Sequence, residues 1–147
     1  MCAMRTTLHR LLPYLLLAFV SSAHADFYVV AQAGNPNPAL TQKEAVNLFM
    51  GRSRAFANGD FALIFDLPRD SPKRAAFYRS LTGMSLAQVT SYWSRLMFSG
   101  QSSPPQPLPD EATMIEIVKH NPNAIGWLST APSDKGLRIL LVLKDDT

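Results

Sequence analysis

Cysteine is nearly absent from this chain of 147 residues, which contains a single one, Cys2. Cys2 lies in an N-terminal segment that has the pattern of a cleaved leader, and no cysteine follows the expected cleavage point. The mature chain is therefore predicted to lack disulfides, reactive thiols and a lipid anchor attached through cysteine.

Long hydrophobic runs are also scarce, and the one long run is Leu11 to Val20. Arg5 and Arg10 precede it and the small-residue box Ala23-His24-Ala25 follows it, which is the arrangement of a secretory signal peptide. The run is shorter than the about 20 apolar residues that a transmembrane helix needs. We expect a signal peptide at residues 1–25, a single domain at residues 26–147, and a soluble periplasmic protein.

A surplus of charge is missing once this leader is set aside. The whole chain has 14 basic and 11 acidic residues, a net charge of +3, and removal of Arg5 and Arg10 leaves a net charge of +1. A nucleic-acid-binding domain normally concentrates Lys and Arg on one face. Nucleic acid is therefore not a predicted partner. The chain from Asp26 to Thr147 is long enough for one hydrophobic core and one domain.

Groups that commonly act in catalysis are few. His120 is the only histidine after the leader, and its position near the end of a predicted helix suits an interaction with the helix dipole. Ser71 has no adjacent base, and its spacing to Lys73 is not the one-turn spacing of Ser-x-x-Lys acylases. The acidic residues show no metal-ligand spacing. We therefore predict no enzyme activity, no cofactor and no metal site.

What the sequence does contain is an alternation of short apolar runs and capped amphipathic segments. The predicted strands are Phe27–Ala31, Phe61–Leu67, Ala124–Leu128 and Leu137–Leu143. The predicted helices begin after the N-cap residues Thr41, Ser71, Ser85 and Asp110. This order predicts an α/β fold in which helices pack on a small mixed sheet.

The third predicted helix and the loop after it have two further features, a tryptophan and a cluster of prolines. Trp93 lies on the apolar stripe of that helix and is predicted to anchor the core. Four prolines follow between Gly100 and Pro109, and they predict a stiff loop with neither helix nor strand.

The segment Arg69–Arg74 has the clearest functional pattern. It follows a predicted strand and opens a predicted helix, so three cations and the Ser71 hydroxyl surround N–H groups that have no partner within the helix. The partly positive N-terminus of a helix favours phosphate or sulfate. The same residues suit an ordinary helix start, with Ser71 as the N-cap and Pro72 as the first helical residue. Both interpretations stay open at this point.

Three landmarks in the chain resemble those of a known family. They are Asn35-Pro36 followed by Leu40-Thr41 and Leu48-Phe49-Met50-Gly51, then Ser71 at the head of a helix with Phe77 and Leu81, and finally Asn121-Pro122-Asn123-Ala124-Ile125-Gly126-Trp127. In this order they resemble the phosphate-binding periplasmic proteins of ABC transporters, particularly short, one-lobed relatives. The resemblance implies a fold like one lobe of a type 2 periplasmic binding protein.

The resemblance also implies that the chain binds phosphate or a similar oxyanion such as sulfate. The residues that we predict at the ligand are Asn35, Arg69, Asp70, Ser71, Lys73 and Arg74. Pro72 and Lys73 stand where the family has Gly and Thr, so one N–H and one hydroxyl are lost and an ammonium is gained. Family members close two lobes over the ligand, and the first lobe has no counterpart here. A homodimer is one way to complete the cleft.

A second hypothesis belongs to another class of protein. It is a non-catalytic accessory protein that docks on a membrane sensor or on a permease. In that case the proline loop and Trp127 form the predicted contact surface. The fold does not decide between the two hypotheses, because one fold serves many functions. Stabilisation by specific anions discriminates them, since only the first predicts it.

Overall fold

The computed structural model of the protein describes residues 26–145. The signal peptide predicted at residues 1–25 lies outside the described residues. The strands are β1 (Phe27–Gln32), β2 (Leu63–Asp66), β3 (Gln106–Pro107), β4 (Ala124–Leu128) and β5 (Leu137–Leu143). The helices are α1 (Gln42–Phe49), α2 (Pro72–Thr82), α3 (Leu86–Phe98) and α4 (Glu111–Lys119). No helix within residues 26–145 has the length and apolar character needed to cross a bilayer.

The five strands form one mixed sheet in the order β3-β2-β4-β1-β5. β1 is antiparallel to both of its neighbours, β4 and β5. β2 is parallel to both of its neighbours, β3 and β4. The predicted α/β class and mixed sheet are therefore confirmed. Because β2 and β4 are parallel, the end of β2 and the end of β4 lie at the same edge of the sheet.

Consecutive residues of β4 point to opposite faces of the sheet, and helices cover both faces. On one face, the Trp127 ring stacks on Phe77 of α2 with ring centres 4.3 Å apart. On the other face, a Cβ on Gly126 would meet the Met114 thioether and approach Val118 Cγ2 of α4 to 3.3 Å. Glycine at this position lets α4 lie close to the sheet.

Local hydrogen bonds start the helices where the sequence predicts. Thr41 Oγ1 accepts the Glu44 N–H at 3.2 Å, and the Glu44 carboxylate accepts the Thr41 N–H at 2.7 Å, which completes a capping box. Ser85 begins α3 with an equivalent box, and Asp110 accepts an N–H of the first turn of α4. These three predicted caps are confirmed. α2 begins at its predicted place but differs in how it is capped.

The prediction that the proline loop has no strand is wrong at Gln106–Pro107. These two residues form β3, which pairs in parallel with Phe65 and Asp66 of β2. The Leu108 N–H extends the pairing by donating to the Asp66 carbonyl at 2.8 Å. Proline is tolerated here because β3 is an edge strand, so it needs hydrogen bonds on one side only. The short strand holds the proline loop against the end of β2.

Candidate functional site

The predicted site begins at the N-terminus of α2, which its own N-cap residue leaves open. Ser71 is the N-cap with an extended backbone (φ −66°, ψ 121°), but its side chain accepts no hydrogen bond from the first turn. Pro72 follows as the first helical residue and has no N–H to satisfy. The Lys73 N–H has no acceptor within the helix, because it belongs to the first turn. The Ser71 hydroxyl and the Lys73 N–H are therefore available to a group outside the helix.

A cleft of about 390 Å³, here called the α2 cleft, opens beside this helix start. It is lined by Leu67, Pro68, Asp70, Ser71, Pro72, Lys73, Pro109, Asp110 and Glu111. The N-terminus of α4 borders the same cleft, and there Asp110 caps the helix by accepting the Thr113 N–H at 2.7 Å. That hydrogen bond lowers the pKa of Asp110. Of the two helix starts at the cleft, only that of α2 has an N-cap side chain that accepts no N–H of its first turn.

Glu111 holds the side chain of Lys73 across this cleft. Lys73 Nζ donates to Glu111 Oε2 at 2.6 Å. Ser129 Oγ donates to the same oxygen at 2.9 Å, and the Ser129 N–H donates to Oε1. Burial raises the pKa of Glu111, but the hydrogen bonds from Lys73 and Ser129 outweigh it and leave the pKa below the ordinary value of 4.5. Glu111 is therefore ionised at neutral pH. Its carboxylate forms the ion pair with Lys73 Nζ that an incoming anion would need.

The charge along the α2 cleft is mainly negative. Asp70, Asp110 and Glu111 line it, against Lys73 as its lining cation. Within residues 26–145, no group of three or more His, Cys, Asp or Glu side chains is placed to hold a metal ion. An anion in this cleft must compete with Glu111 for Lys73.

Arg74, predicted to contribute charge to the anion site, is not placed in the α2 cleft. Its side chain is 8% exposed, and its Nε donates to Asp66 Oδ2 at 2.8 Å. Its guanidinium carbon lies 4.9 Å from the ring centre of Tyr78. The physical reason is the Asp66 carboxylate at the end of β2, which is 3% exposed and needs a charged partner inside the core.

Asp66 is the centre of a buried hydrogen-bond network. Its Oδ2 also accepts the Tyr78 hydroxyl at 2.8 Å, and its Oδ1 accepts the Leu67 N–H at 2.8 Å. Burial and the Asp66 carboxylate raise the pKa of Tyr78 well above its ordinary value of 10.0. The network uses both carboxylate oxygens and fixes the side chains around the end of β2.

Trp127 belongs to this network and not to a contact surface. Its Nε1 donates to Asp66 Oδ1 at 3.0 Å, and the residue is 0% exposed. The prediction that Trp127 forms a docking surface is therefore wrong. An indole that stacks on Phe77 and donates to a buried carboxylate is held inside the core.

Asn35 lies at the opposite end of the sheet from the α2 cleft. Its Nδ2 donates to the carbonyl of Pro122, just before β4, whereas the cleft lies beyond the end of β4 at Ser129. Its Oδ1 accepts the N–H and the side-chain amide of Asn37 at 2.9 and 3.0 Å. Arg138 donates to the Asn35 and Asn37 carbonyls. Asn35 therefore orders its own loop, and the structure does not bring it to the other predicted residues.

Arg69 and Arg74 line a second, smaller cavity, here called the arginine cavity, between α2, α3 and the proline loop. Its volume is about 120 Å³. It is lined by Asp66, Leu67, Arg69, Arg74, Thr90, Trp93, Pro104, Pro105 and Pro107. The six predicted site residues are thus divided among three places: Asp70, Ser71 and Lys73 at the cleft, Arg69 and Arg74 at the cavity, and Asn35 at the far end.

Sequence reasoning missed Asp66 and Glu111. These carboxylates decide where the side chains of Arg74 and Lys73 point. Asp66 has a detectable signal, since it is a carboxylate within the apolar run Leu63–Leu67, and a buried carboxylate needs a partner. Glu111 has no such signal, because an acidic residue in the first turn of a helix is ordinary. Its role depends on the position of α4 beside α2.

Comparison with known proteins supports the fold. The sequence matches no protein-family model and no curated protein. The structure is similar to an ABC-type phosphate transport receptor from Vibrio cholerae, with a TM-score of 0.62 and 16% identity, over 80% of this chain and 46% of that one. It is also similar to a putative phosphate ABC transporter substrate-binding protein with bound phosphate from Clostridium perfringens, with a TM-score of 0.63 and 16% identity, over 80% of this chain and 44% of that one.

The chain therefore spans less than half the length of the receptors that it matches. The predicted resemblance to one lobe of a phosphate-binding protein is confirmed at the level of the fold. At this identity the similarity describes the architecture, and the ligand and its contacts must be argued from the chain's own residues.

Proposed function

We propose that the protein is an exported, non-enzymatic binding module for phosphate or a similar small oxyanion, and that it receives the anion in the α2 cleft. The main observation in support is the open N-terminus of α2, where the Ser71 hydroxyl caps nothing and the Lys73 N–H has no acceptor within the helix. Helix N-termini of this kind favour anions. The similar solved structures are described as a phosphate transport receptor and a phosphate-bound substrate-binding protein.

Three donors are within the reach of an anion in this cleft. They are the Ser71 hydroxyl, the Lys73 N–H and the Lys73 ammonium, and charge-assisted hydrogen bonds contribute about 1.5 to 3 kcal/mol each. Association and side-chain ordering cost at least about 4 kcal/mol. The balance corresponds to affinity in roughly the millimolar range. A second copy of the chain, or a membrane permease or sensor, would have to cover the open side for tighter binding.

Glu111 reduces this affinity further, because it already holds the Lys73 ammonium at 2.6 Å. An incoming anion gains the ammonium only when this ion pair separates. The ion pair is accessible enough to separate, since the Lys73 side chain is 53% exposed. Neutralising Glu111 is therefore expected to strengthen anion binding, whereas removing Lys73 weakens it.

Phosphate titrations monitored by calorimetry test this proposal. Glu111→Gln should bind phosphate several-fold more tightly than the wild type, and Lys73→Ala should bind roughly tenfold more weakly, the loss of one charge-assisted hydrogen bond. Lys43→Ala is the matched control, because Lys43 is also the second residue of a helix and is exposed, but its helix is closed by a capping box. It should leave phosphate binding unchanged.

Equal phosphate affinity in the wild type, Lys73→Ala and Glu111→Gln would show that the α2 cleft is not the site. The docking alternative retains support from one observation in that case. Phe61 and Leu63 are exposed beside Pro104 and Pro105, in a groove of about 250 Å³. This apolar groove contains part of the proline loop that the second hypothesis uses.

A further inference from the structure

We propose that a gap in the outer edge of β2 is a docking site for the free C-terminal end of another polypeptide, one whose last residue is apolar. The gap opens into the groove of about 250 Å³ that Phe61, Leu63, Pro104 and Pro105 line. This groove is here called the β2 groove. It shares no lining residue with the α2 cleft, so the inference does not depend on anion binding there.

Two segments pair with the edge of β2 that faces away from β4, one at each end, and they leave the middle open. Just before β2, the Ala62 N–H donates to the Arg54 carbonyl at 2.8 Å. At the far end, β3 pairs only with the last two residues of β2. Leu63 and Ile64 pair with β4 on their inner side and with no strand on their outer side. The gap is therefore two residues long, which leaves room for a chain end but not for a full strand.

The Ile64 N–H points into this gap without an acceptor. Successive N–H groups along a strand point to opposite sides, and the Leu63 N–H donates to the Asn123 carbonyl, just before β4, at 2.8 Å. The N–H groups of Ala62 and Ile64 therefore point away from β4. The Arg54 carbonyl accepts the first, whereas within residues 26–145 no carbonyl or side chain accepts the second. Unpaired edge groups of this kind form hydrogen bonds with an added extended chain.

Arg54 supplies a positive charge at one end of the gap. Its side chain lines the groove, and its Nη2 donates to Ser102 Oγ at 3.3 Å. No carboxylate lines the groove, and within residues 26–145 none pairs with this guanidinium. A chain end that adds antiparallel to β2 runs from Ile64 towards Ala62, so its terminal carboxylate lies at Arg54. Arginine binds carboxylates through paired N–H groups, so this charge favours a free C-terminus and sets its direction.

The apolar lining of the groove defines the last residue of the partner. Phe61 and Leu63 lie two residues apart, so they share one face of the chain, and they are 56% and 36% exposed. Pro104, Pro105 and the buried Trp93 also line the groove. An apolar side chain placed here removes this surface from water. The volume of about 250 Å³ is below the roughly 300 to 1000 Å³ of pockets that enclose drug-sized ligands, so it suits a residue or two of a longer chain.

Binding of a short synthetic peptide tests this site. The probe is N-acetyl glycyl-valyl-leucine with a free C-terminal carboxylate, and the matched control is the same peptide with a C-terminal amide. In a nitrogen-15 correlation spectrum, the free acid should move the Ile64 amide signal saturably and slow its hydrogen exchange. The amide should bind roughly tenfold more weakly, because it loses the charge-assisted hydrogen bonds to Arg54.

Variants of three cations show whether the carboxylate lies at Arg54. Arg54→Gln keeps a donor for Ser102 but loses the charge, so it should weaken binding of the free acid roughly tenfold and leave binding of the amide unchanged. Arg52→Gln is the matched control, because Arg52 is exposed and close in sequence but does not line the groove. It should leave both affinities unchanged. Lys73→Ala should also leave peptide binding unchanged, while it weakens phosphate binding at the α2 cleft.

An Ile64 amide signal that the free acid does not move would overturn the inference. Equal affinity of the free acid and the amide, or wild-type affinity in Arg54→Gln, would also contradict it. Isocaproate has the side chain and the carboxylate of the last residue without a peptide backbone, and it should bind severalfold more weakly than the peptide. If isocaproate binds as tightly, the groove takes a free small acid and the docking of a chain end is refuted. Lys73-dependent phosphate binding by a protein that does not bind the peptide would refute this inference and leave the proposed cleft standing.

Discussion

Two ion pairs start from consecutive residues of α2, and they differ in burial much more than in length. Lys73 contacts Glu111 at 2.6 Å, with side chains 53% and 20% exposed. Arg74 contacts Asp66 at 2.8 Å, with side chains 8% and 3% exposed. Water and dissolved anions compete for the first pair and hardly reach the second. Two neighbouring residues of α2 thus make different contacts. Lys73 forms an exposed ion pair that can exchange its partner, and Arg74 belongs to a buried hydrogen-bond network.

The largest effect is expected when the buried pair is broken. Asp66→Ala leaves the Arg74 guanidinium inside the core without its carboxylate, and it also removes the acceptor of Tyr78 and Trp127. Loss of one partner of a buried pair costs about 3 to 5 kcal/mol. Urea denaturation should show this loss in the free energy of unfolding. Asp70→Ala, at an exposed carboxylate, is the control and should change stability by less than about 0.5 kcal/mol.

A smaller effect tests whether the exposed side of α2 is open. Thr41→Ala removes a cap that accepts the Glu44 N–H, and it should cost about 1 kcal/mol of stability. Ser71→Ala removes a hydroxyl that caps nothing, so its cost should be within about 0.5 kcal/mol. Thermal unfolding of the two variants measures both stability losses relative to the wild type. Equal destabilisation would mean that Ser71 closes its helix in solution as Thr41 does, and the anion proposal would lose its main support.

The smallest effect is expected in the pH dependence of stability. The pKa of Glu111 is lower in the folded protein than its ordinary value of 4.5. Its ionised form therefore contributes stability that is fully present above about pH 4.5 and is lost as the pH falls through the lowered folded pKa. Glu111→Gln should lack this component, so the difference in unfolding free energy between the two proteins should shrink on acidification.

Asp110 and Glu44 also have lowered pKa values, so the wild-type profile alone does not isolate Glu111. The comparison with Glu111→Gln cancels their shared contribution. A constant difference across the acid range would show that the Lys73–Glu111 pair does not favour the ionised carboxylate in solution.

Much of the architecture was predictable from the chain. The order of strands and helices, the mixed α/β sheet and the caps at Thr41, Ser85 and Asp110 follow from apolar periodicity and from side chains that bond to the backbone three residues away. The short strand β3 was not predictable, because its pairing depends on β2, some 40 residues earlier along the chain.

The candidate site was predictable only in part. The start of α2 at Ser71 and the gathering of cations around it follow from the sequence, but the division of those cations between a cleft and a cavity does not. Trp93 was correctly predicted as a core residue, yet its unpaired N–H is visible only once its neighbours are placed. The position of Asn35 was also not predictable. Asn35 follows β1 and Ser71 follows β2, and they lie at opposite ends of the sheet because β1 is antiparallel to β4 whereas β2 is parallel to it.

The amino-acid sequence by itself determined where the helices begin, which residues form the core strands, and that cations cluster at the start of α2. Local hydrogen bonds and side-chain periodicity act over a few residues, so they are written directly in the order of the chain. Only the tertiary structure decided which way each cation points. Lys73 meets a carboxylate 38 positions away on α4, and Arg74 meets one at the buried end of β2, and such partners exist only when the packed elements bring them together.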